Sequence, residues 1–212
     1  MSRALHDLTI SNLDDLPAAC RSCTFWEVAN SPRGPSGPAA AAAKEAWVQA
    51  TQLEWGAPGK VLYVDDLPVG YGLLAPGFHL PRVHRLAHVP SDDAFLLATL
   101  WISPELRGSG LSKVLLQALL RETHRRGGRA LEAYGLRAGQ LPASCVLPEP
   151  YLLGNGFTVL HEHSEYPLLR LDMRQTARWQ ESMSHAVEGV LSALGGRERA
   201  PAPVRPSVSS SR

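Results

Sequence analysis

The sequence has few cysteines, almost no excess charge of either sign and no long hydrophobic run, and each shortage excludes a class of protein. Three cysteines among 212 residues are too few, and an odd number, for a disulfide framework, so we expect a reducing, cytoplasmic setting. No stretch reaches the roughly 18 consecutive apolar residues that span a membrane. The 21 Lys+Arg against 20 Asp+Glu leave a formal net charge of +1. We therefore expect neither a membrane nor nucleic acid as a partner.

The chain contains enough apolar material for one folded domain and a tail. Hydrophobic residues make up 44% of it and charged residues 19%, a composition typical of globular domains. We predict a domain over residues 1–175, and an amphipathic C-terminal helix over 176–195 that packs on it. Residues 196–212 are dominated by Arg, Pro, Ala and Ser, which predicts a disordered tail.

Hydrophobic periodicity predicts alternating helices and strands, that is, an α/β domain. Ala94 to Ile102 is a nearly continuous apolar run, typical of a buried central strand. Apolar residues spaced three and four apart from Leu111 to Leu119 predict a helix with one buried face. The predicted strands span 7–10, 60–64, 69–74, 94–102, 130–134, 158–163 and 168–172, and the predicted helices lie within 13–28, 39–55, 111–126 and 150–157.

A glycine-rich turn, PELRGSG from Pro104 to Gly110, separates the apolar strand from the amphipathic helix. Free N–H groups at a helix start, together with the positive end of the helix dipole, attract phosphate. Arg107 adds positive charge, and Gly108 lets the backbone approach a bulky pyrophosphate. The spacing of a P-loop is absent around Lys113, as is the third glycine of a dinucleotide fingerprint.

The run WISPELRGSGLSK, which starts at Trp101, resembles motif A of the GNAT superfamily of N-acetyltransferases. That motif reads R/Q-x-x-G-x-G/A after a strand. Arg107 and Gly110 match it, and Ser112 stands where the family has glycine or alanine. The order of the predicted elements and the pair Gly156-Phe157 also resemble the family. The short segments FWE (25–27), KEAW (44–47) and LEWG (53–56) are similar to segments of an actinobacterial-type group within the family.

This resemblance covers roughly residues 5–172 and implies a mixed central sheet flanked by helices, with two splayed parallel strands at its centre. It implies an N-acetyltransferase in which a small-molecule or peptide amine attacks acetyl-CoA directly, without a metal. A monomer or a homodimer is expected. The resemblance assigns the pyrophosphate to the backbone of Arg107, Gly108, Ser109, Gly110, Leu111 and Ser112, and the pantetheine arm to the backbone of Leu100, Trp101 and Ile102.

The resemblance also implies a base that removes the proton of the amine, and Glu132 is the first candidate. It lies on the strand after motif A, where some family members carry a glutamate. A carboxylate on a strand can equally be the partner of an arginine, so both interpretations stay open. Alternative bases occur in the loop before the apolar strand, and they are His84, His88, Asp92 and Asp93.

The expected acid, which protonates the leaving thiolate, is Tyr151. Many family members have a tyrosine four residues before the glycine of motif B, whereas Tyr151 precedes Gly156 by five. One helical step of about 100° would turn its hydroxyl away, so a core aromatic is the other interpretation. Tyr134 is the second candidate acid.

Two further patterns have a structural interpretation beside a functional one. Cys20 and Cys23 form a C-x-x-C without the further ligands of a zinc site, so we interpret them as buried small residues. Prolines occupy the region where many relatives carry an asparagine that touches the pantetheine, and Ser144 or Cys145 would have to replace it. The rival hypothesis is therefore a non-catalytic acyl-CoA-binding or protein-interaction module on the same fold.

Overall fold

A mixed sheet organises the residues that the computed structural model describes, which are 2–29, 37–137 and 145–173. Its strands are β1 (Arg3–Asp7), β2 (Gly59–Val64), β3 (Leu67–Pro76), β4 (Ala94–Ile102), β5 (Ala130–Leu136), β6 (Leu147–Pro148), β7 (Thr158–His161) and β8 (Leu168–Asp172). They lie in the order β1-β2-β3-β4-β5-β8-β7, with β6 beside β5. The pairs β4–β5 and β5–β6 are parallel. The predicted helix 176–195 and tail 196–212 lie outside the described residues, as does Ser144.

The α-helices of this part of the chain are α1 (Ala18–Arg21), α2 (Gly37–Glu54), α3 (Leu111–Arg125) and α4 (Glu149–Gly154). Helix α3 forms where the sequence predicted it. Its apolar stripe is buried, and Leu115 and Leu119 are fully inaccessible to solvent. Gly127, at a φ of 82°, ends α3 in the left-handed conformation that glycine adopts most readily.

The sheet buries a separate hydrophobic core on each of its faces. On the α3 face, Leu97 packs with Leu115 and Leu119. On the opposite face, Leu96 packs with Val48 of α2, because consecutive strand residues point to opposite sides of the sheet. Each fully buried leucine contributes on the order of 2 kcal/mol. We call the two sides the α3 face and the α2 face.

The predicted helix over 13–28 is wrong, because the chain there folds into short turns. A 3-10 turn over Ile10–Asp15 precedes α1, which already ends at Arg21. Pro17 lies between them in an extended conformation, with a ψ of 140°, and its missing N–H cannot continue a helix. The chain then turns so that Trp26 enters the core, where its ring stacks on Tyr134 with 5.7 Å between the centroids.

The remaining predicted elements differ from the structure only at their ends, with one exception. Strand β1 spans Arg3–Asp7 rather than 7–10, and the chain reaches the 3-10 turn directly after it. Two further 3-10 turns, Gly77–His79 and Pro81–Arg85, lie in the connection between β3 and β4. The α/β fold class, with a mixed central sheet flanked by helices, is confirmed.

Strands β4 and β5 pair at their first residues and then separate. The parallel register joins residues 94–96 to residues 130–132 and goes no further. Directly beyond it, the register between β3 and β4 shifts opposite Leu73 and Leu74, which marks a bulge that bends β4. The expected splay of the two central parallel strands is confirmed, and a gap opens between the ends of β4 and β5.

Candidate functional site

The gap exposes one edge of β4 at the residues predicted to bind the pantetheine arm. Leu100, Trp101 and Ile102 pair with β3 through one edge, and no strand of the described chain pairs with their other edge. An unpaired strand edge presents N–H and C=O groups that an extended ligand with amide groups can bind as a further strand would. The fold thus brings these three residues to the gap.

The turn between β4 and α3 has an open geometry that suits an anion. Gly108 and Gly110 have φ values of 80° and 82°, which favour glycine. A Cβ placed on either residue would meet no heavy atom within 4 Å, so the space over the turn is open. Gly110 starts α3 without a side-chain cap, and the Arg107 side chain beside it is exposed.

The residues predicted to bind the pyrophosphate differ in whether their N–H groups are free. Those of Arg107 and Ser109 donate to carbonyl oxygens within the turn, both at 3.3 Å. Those of Leu111 and Ser112, at the start of α3, donate to no described residue. Free donors at the positive end of a helix dipole bind anions. The N–H groups of Gly108 and Gly110 donate to no described residue either, so free donors occur both in the turn and at the helix start.

The Tyr151 hydroxyl is buried and has no hydrogen-bond partner among the described residues. Burial raises its pKa, and the nearby Ser112 side chain partly opposes that shift, although the two hydroxyl groups do not meet the geometry of a hydrogen bond. Helix α4 thus brings Tyr151 beside the start of α3, despite its offset of five residues from Gly156. A buried donor without a partner costs about 1–3 kcal/mol, a cost that a bound acceptor atom would remove.

Glu132 is fully buried on the α2 face and has two partners. Its Oε1 accepts a hydrogen bond from Arg170 Nη1 at 2.9 Å, and its Oε2 accepts one from the Ser91 N–H at 2.8 Å. Arg170 also binds Asp93 and Asp172, at 2.9 Å and 3.0 Å. The ion pair with Arg170 supports the second interpretation of Glu132, while its role as a base stays a prediction.

The electrostatic consequences of this cluster centre on Arg170. The hydrogen bonds that Arg170 donates to Asp93 are the largest cause of its raised pKa, and they in turn lower the pKa of Asp93. Asp93 is therefore a weak base, as a carboxylate held by a guanidinium must be. Of the other alternative bases, Asp92 and His84 are exposed.

Tyr134 has a different environment from Tyr151. Its hydroxyl donates a hydrogen bond to the His88 carbonyl oxygen, and its ring stacks on Trp26. Burial, and then the charge of Glu132, raise its pKa. The His88 ring stacks on His161 with 4.6 Å between the centroids. Because its proton is already donated, Tyr134 is the less available of the two candidate acids.

The segment at Cys145, one of the two residues considered as replacements for the family's asparagine, bridges the gap on the α2 face. The Cys145 carbonyl oxygen accepts hydrogen bonds from Thr99 Oγ1 at 2.7 Å and from Trp26 Nε1 at 3.4 Å. Thr99 lies on β4 just past the bulge, and β6 follows Cys145 and pairs with the end of β5. No sequence signal connects these residues, because they are far apart along the chain.

The segments FWE (25–27) and KEAW (44–47) contact each other through buried polar groups. Glu27 and Lys44 form a buried ion pair, with side chains 1% and 2% exposed, and Lys44 Nζ also donates to the Cys23 carbonyl oxygen at 3.0 Å. Glu27 Oε2 has no partner among the described residues. Trp47 Nε1 donates to the His79 carbonyl oxygen at 2.6 Å. The contacts of Lys44 hold α2 against the turn after α1, and that of Trp47 holds it against the 3-10 turn at Gly77–His79.

Within the described ranges, no group of three or more His, Cys, Asp or Glu side chains is placed to hold a metal ion. A separate finding concerns the membrane. None of the helices in the described part of the chain combines the length and apolar character needed to cross one.

Solved structures share this fold. YncA from Salmonella typhimurium, solved with its cofactor acetyl-CoA, superposes with a TM-score of 0.53 at 17% identity, covering 82% of this chain and 95% of that one. An N-acetyltransferase from Staphylococcus aureus Mu50 gives a TM-score of 0.53 at 16% identity, with coverages of 82% and 99%. The loading GNATL domain of CurA from Lyngbya majuscula gives 0.51 at 17% identity, with coverages of 82% and 100%. At such identities the likeness concerns the fold.

No curated protein sequence matches the chain. The model of the acetyltransferase (GNAT) family, in contrast, matches residues 24–143, more than half of the 212 residues. That range contains the splayed part of β4, the glycine turn and all of α3. Together with the free helix start and the open strand edge, this match establishes that the chain belongs to the GNAT family of acetyltransferases.

Proposed function

We propose that the protein transfers the acetyl group of acetyl-CoA to a primary amine, which attacks the thioester directly. The observation that carries the proposal is the gap between β4 and β5, which leads from an open strand edge to a helix start with free N–H groups. A buried tyrosine hydroxyl without a partner among the described residues lies beside that helix start. These features fit an extended ligand with amides along its length, an anionic group at one end and a leaving group that needs a proton.

In this proposal the donor is bound by two sets of backbone groups. The N–H groups of Leu111 and Ser112 and the open turn at Gly108 and Gly110 hold the pyrophosphate, with the exposed Arg107 adding charge. The free edge of β4 over residues 100–102 pairs with the pantetheine arm. An N–H group on this edge also stabilises the negative charge that develops on the thioester oxygen.

We propose Tyr151 as the acid that protonates the leaving thiolate. Its raised pKa keeps the hydroxyl protonated at neutral pH, so the proton is present when the thiolate forms. Because the hydroxyl donates to no described residue, no existing hydrogen bond has to break first. Tyr134, whose proton is donated to a carbonyl oxygen, lacks this advantage.

We propose Glu132 as the base that receives the amine proton, through an intervening water. Its position supports this role, since it is the last β5 residue paired with β4 before the strands separate. Each of its oxygens has one described partner, so each retains a lone pair for water. Arg170 opposes the role, because its guanidinium already occupies Oε1 of the carboxylate at 2.9 Å.

The test of Glu132 is the pair Glu132→Gln and Asp93→Asn, which both remove a carboxylate from Arg170. If Glu132 is the base, Glu132→Gln lowers kcat by about 10²–10⁴-fold, whereas Asp93→Asn leaves most of it. Equal, small losses in both variants, with equal losses of thermal stability, would show that Glu132 only anchors Arg170.

The rival function is a non-catalytic module that binds acyl-CoA. The ion pair between Glu132 and Arg170 favours it, because it occupies the most deeply buried carboxylate of the gap. A broad panel of primary amines separates the two. Release of CoA that depends on an amine supports the enzyme, and tight binding of acetyl-CoA without any turnover supports the module.

The site itself is tested by Gly110→Trp, with Gly127→Trp as a matched control. Both glycines have a φ of 82°, and a Cβ on either would meet nothing within 4 Å, but they lie at opposite ends of α3. An indole at Gly110 would fill the open space over the helix start, so calorimetry should detect no acetyl-CoA binding. Gly127→Trp should suffer the same backbone strain and still bind. Equal affinity of both variants would overturn the site.

A further inference from the structure

One backbone carbonyl group closes the gap on the α2 face. The Cys145 carbonyl oxygen accepts hydrogen bonds from Thr99 Oγ1 at 2.7 Å and from Trp26 Nε1 at 3.4 Å. The Trp26 ring in turn stacks on Tyr134 of β5. The segment at Cys145 is therefore tied to β4 through Thr99 and to β5 through Trp26 and Tyr134. We call Thr99, Cys145 and Trp26 the bridge.

The bulge in β4 directs the Thr99 side chain towards the bridge. The register shift makes Ala98 the extra residue of the bulge, because neighbouring residues of β3 face Leu97 and Thr99. Ala98 packs on the α2 face, and strict alternation would turn the next side chain to the α3 face. A bulge interrupts this alternation, so the Thr99 hydroxyl reaches Cys145. Thr99 is 5% exposed and β-branched, which holds its hydroxyl in one direction.

The narrow end of the gap is filled by apolar side chains. The last parallel pair is Leu96 with Glu132, and directly beyond it lie Leu97 and Ala133. These two residues are 1% and 0% exposed and belong to the core of the α3 face. A close-packed core accepts further methylene groups only with strain. The bridge and this core therefore enclose the space beside β4 next to Leu100.

The acyl group of a bound donor would lie against the bridge, a step that rests on the proposed function. Strand β4 ends at Ile102, and the turn after it leads to the start of α3, where we place the pyrophosphate. The pantetheine arm would then run along β4 from Ile102 towards Leu100. Its thioester would arrive beside Thr99, which directly precedes Leu100.

We propose that Thr99 limits the length of the acyl chain that the protein accepts, because its hydroxyl holds the Cys145 carbonyl group across the path of the chain. An acetyl group ends at its methyl carbon. Each further methylene has to break the bond between Thr99 and Cys145 or enter the packed core. One methylene in an apolar pocket changes affinity or transfer by about 10–200-fold. Acetyl-CoA is therefore the preferred donor, and chains of four or more carbons are excluded.

The experiment titrates the full chain with acetyl-, propionyl-, butyryl- and hexanoyl-CoA in a calorimeter. Wild type should lose affinity by about tenfold or more for each added methylene. Thr99→Ala removes the hydroxyl and leaves space at the bridge, so the affinity for butyryl-CoA relative to acetyl-CoA should rise by about tenfold or more. Thr99→Ser retains a hydroxyl at this position and should keep most of the wild-type ratio.

Thr123→Ala is the matched control. Thr123 is fully buried, and its Oγ1 donates to the Leu119 carbonyl oxygen at 2.9 Å, so this variant loses a comparable hydrogen bond within α3. It should lose thermal stability, as Thr99→Ala does, and keep the wild-type ratio of affinities. Because the ratio compares two ligands on the same variant, a loss of stability alone does not change it.

Three outcomes would overturn the proposal: equal affinities of wild type for all four donors, equal ratios in wild type and Thr99→Ala, or the same shift in Thr99→Ser as in Thr99→Ala. Thermal melting recognises a variant that fails to fold. In that case Thr99→Val replaces Thr99→Ala, because valine suits a strand and lacks the hydroxyl, and an unchanged ratio in Thr99→Val counts against the bridge in the same way.

Turnover of the same four donors with the amine panel separates this inference from the proposed function. If affinity falls with chain length and depends on the Thr99 hydroxyl, but no amine is ever acylated, the limit on chain length stands and the proposed transfer fails. If amines are acylated equally well from all four donors, the transfer stands and the limit set by Thr99 fails.

Discussion

The two faces of the sheet carry their charged groups in different ways. On the α3 face, Glu122 is 8% exposed and is bound by Arg125 and Arg126 of its own helix and by Lys60 of β2. On the α2 face, Glu27 has Lys44 as its only cationic partner among the described residues, and one of its oxygens is unpartnered there. Glu122 therefore tolerates the loss of one partner, and Glu27 does not.

The two parts of the site also differ between the faces, in how far apart their residues lie along the chain. The part that we propose to bind the anion, on the α3 side, consists of consecutive residues from Arg107 to Ser112. The part on the α2 face is assembled from Trp26, Thr99, Glu132 and Cys145, which meet only in the folded chain. A local motif can be recognised in a sequence, whereas contacts between distant residues depend on the path of the whole chain.

The largest expected effect concerns the two candidate acids. Tyr151→Phe removes the free hydroxyl beside α3 and should lower kcat by about 10²–10⁴-fold, with little change in the binding of acetyl-CoA. Tyr134→Phe removes a hydroxyl that donates to a carbonyl oxygen and should act mainly on thermal stability. Steady-state kinetics and calorimetry measure both. Comparable losses of kcat would remove the distinction between the two tyrosines.

Next in size is the loss of the buried cation on the α2 face. Lys44→Met leaves Glu27 buried without a partner, which costs about 3–5 kcal/mol of unfolding free energy. Lys60→Met leaves Glu122 with two arginines, so we expect a loss of about 1 kcal/mol or less. Urea unfolding measures both.

A double variant checks the cause. Glu27→Gln added to Lys44→Met removes both charges and should recover part of the stability, because no charge then remains buried. No recovery, or equal losses for Lys44→Met and Lys60→Met, would contradict the contrast between the faces.

The smallest expected effect is a pH dependence on the α3 face. Burial raises the pKa of Glu122, but the hydrogen bonds from Arg125 and Arg126 and the charge of Lys60 lower it to about 2. A folded-state pKa below the usual 4.5 contributes stability above pH 4.5, and this contribution is lost as the pH falls towards 2. Its size is on the order of 2 kcal/mol.

Urea unfolding between pH 2 and pH 6 should therefore show a slope in wild type that Glu122→Gln lacks over this interval. Glu105→Gln, at an exposed carboxylate next to the glycine turn, is the control and should keep the slope. Parallel curves for wild type and Glu122→Gln would show that other carboxylates cause the acid sensitivity.

Particular residues show why the sequence predicted some features and not others. The apolar run Ala94–Ile102 and the three-and-four spacing of apolar residues in α3 each lie within one continuous segment. The strand, the turn and the helix can therefore be predicted from neighbouring residues. Residues 13–28 also carry helical signals, but Pro17 and the burial of Trp26 break the helix. That outcome depends on Tyr134, which lies on a distant strand.

The assignments of the site residues divide in the same manner. The glycines of the turn, and their open space, follow from the motif. For Glu132, the sequence left a base and an arginine partner equally open, and only the pairing of β5 with β8 places Arg170 beside it. The C-x-x-C predicted buried thiols, whereas Cys20 and Cys23 are only partly buried in the structure.

The sequence by itself determined the strand, glycine turn and helix of the proposed anion site, because the required conformations are encoded in neighbouring residues: glycine for positive φ, and apolar spacing for the buried helix face. Only the tertiary structure decided the splay of β4 and β5, the partner of Glu132, the free hydroxyl of Tyr151 and the meeting of Cys145 with Thr99 and Trp26. These features arise from the bulge in β4 and from contacts across the sheet. The free energy that stabilises them comes from burying residues that are far apart in the chain, so it is gained only in the folded state.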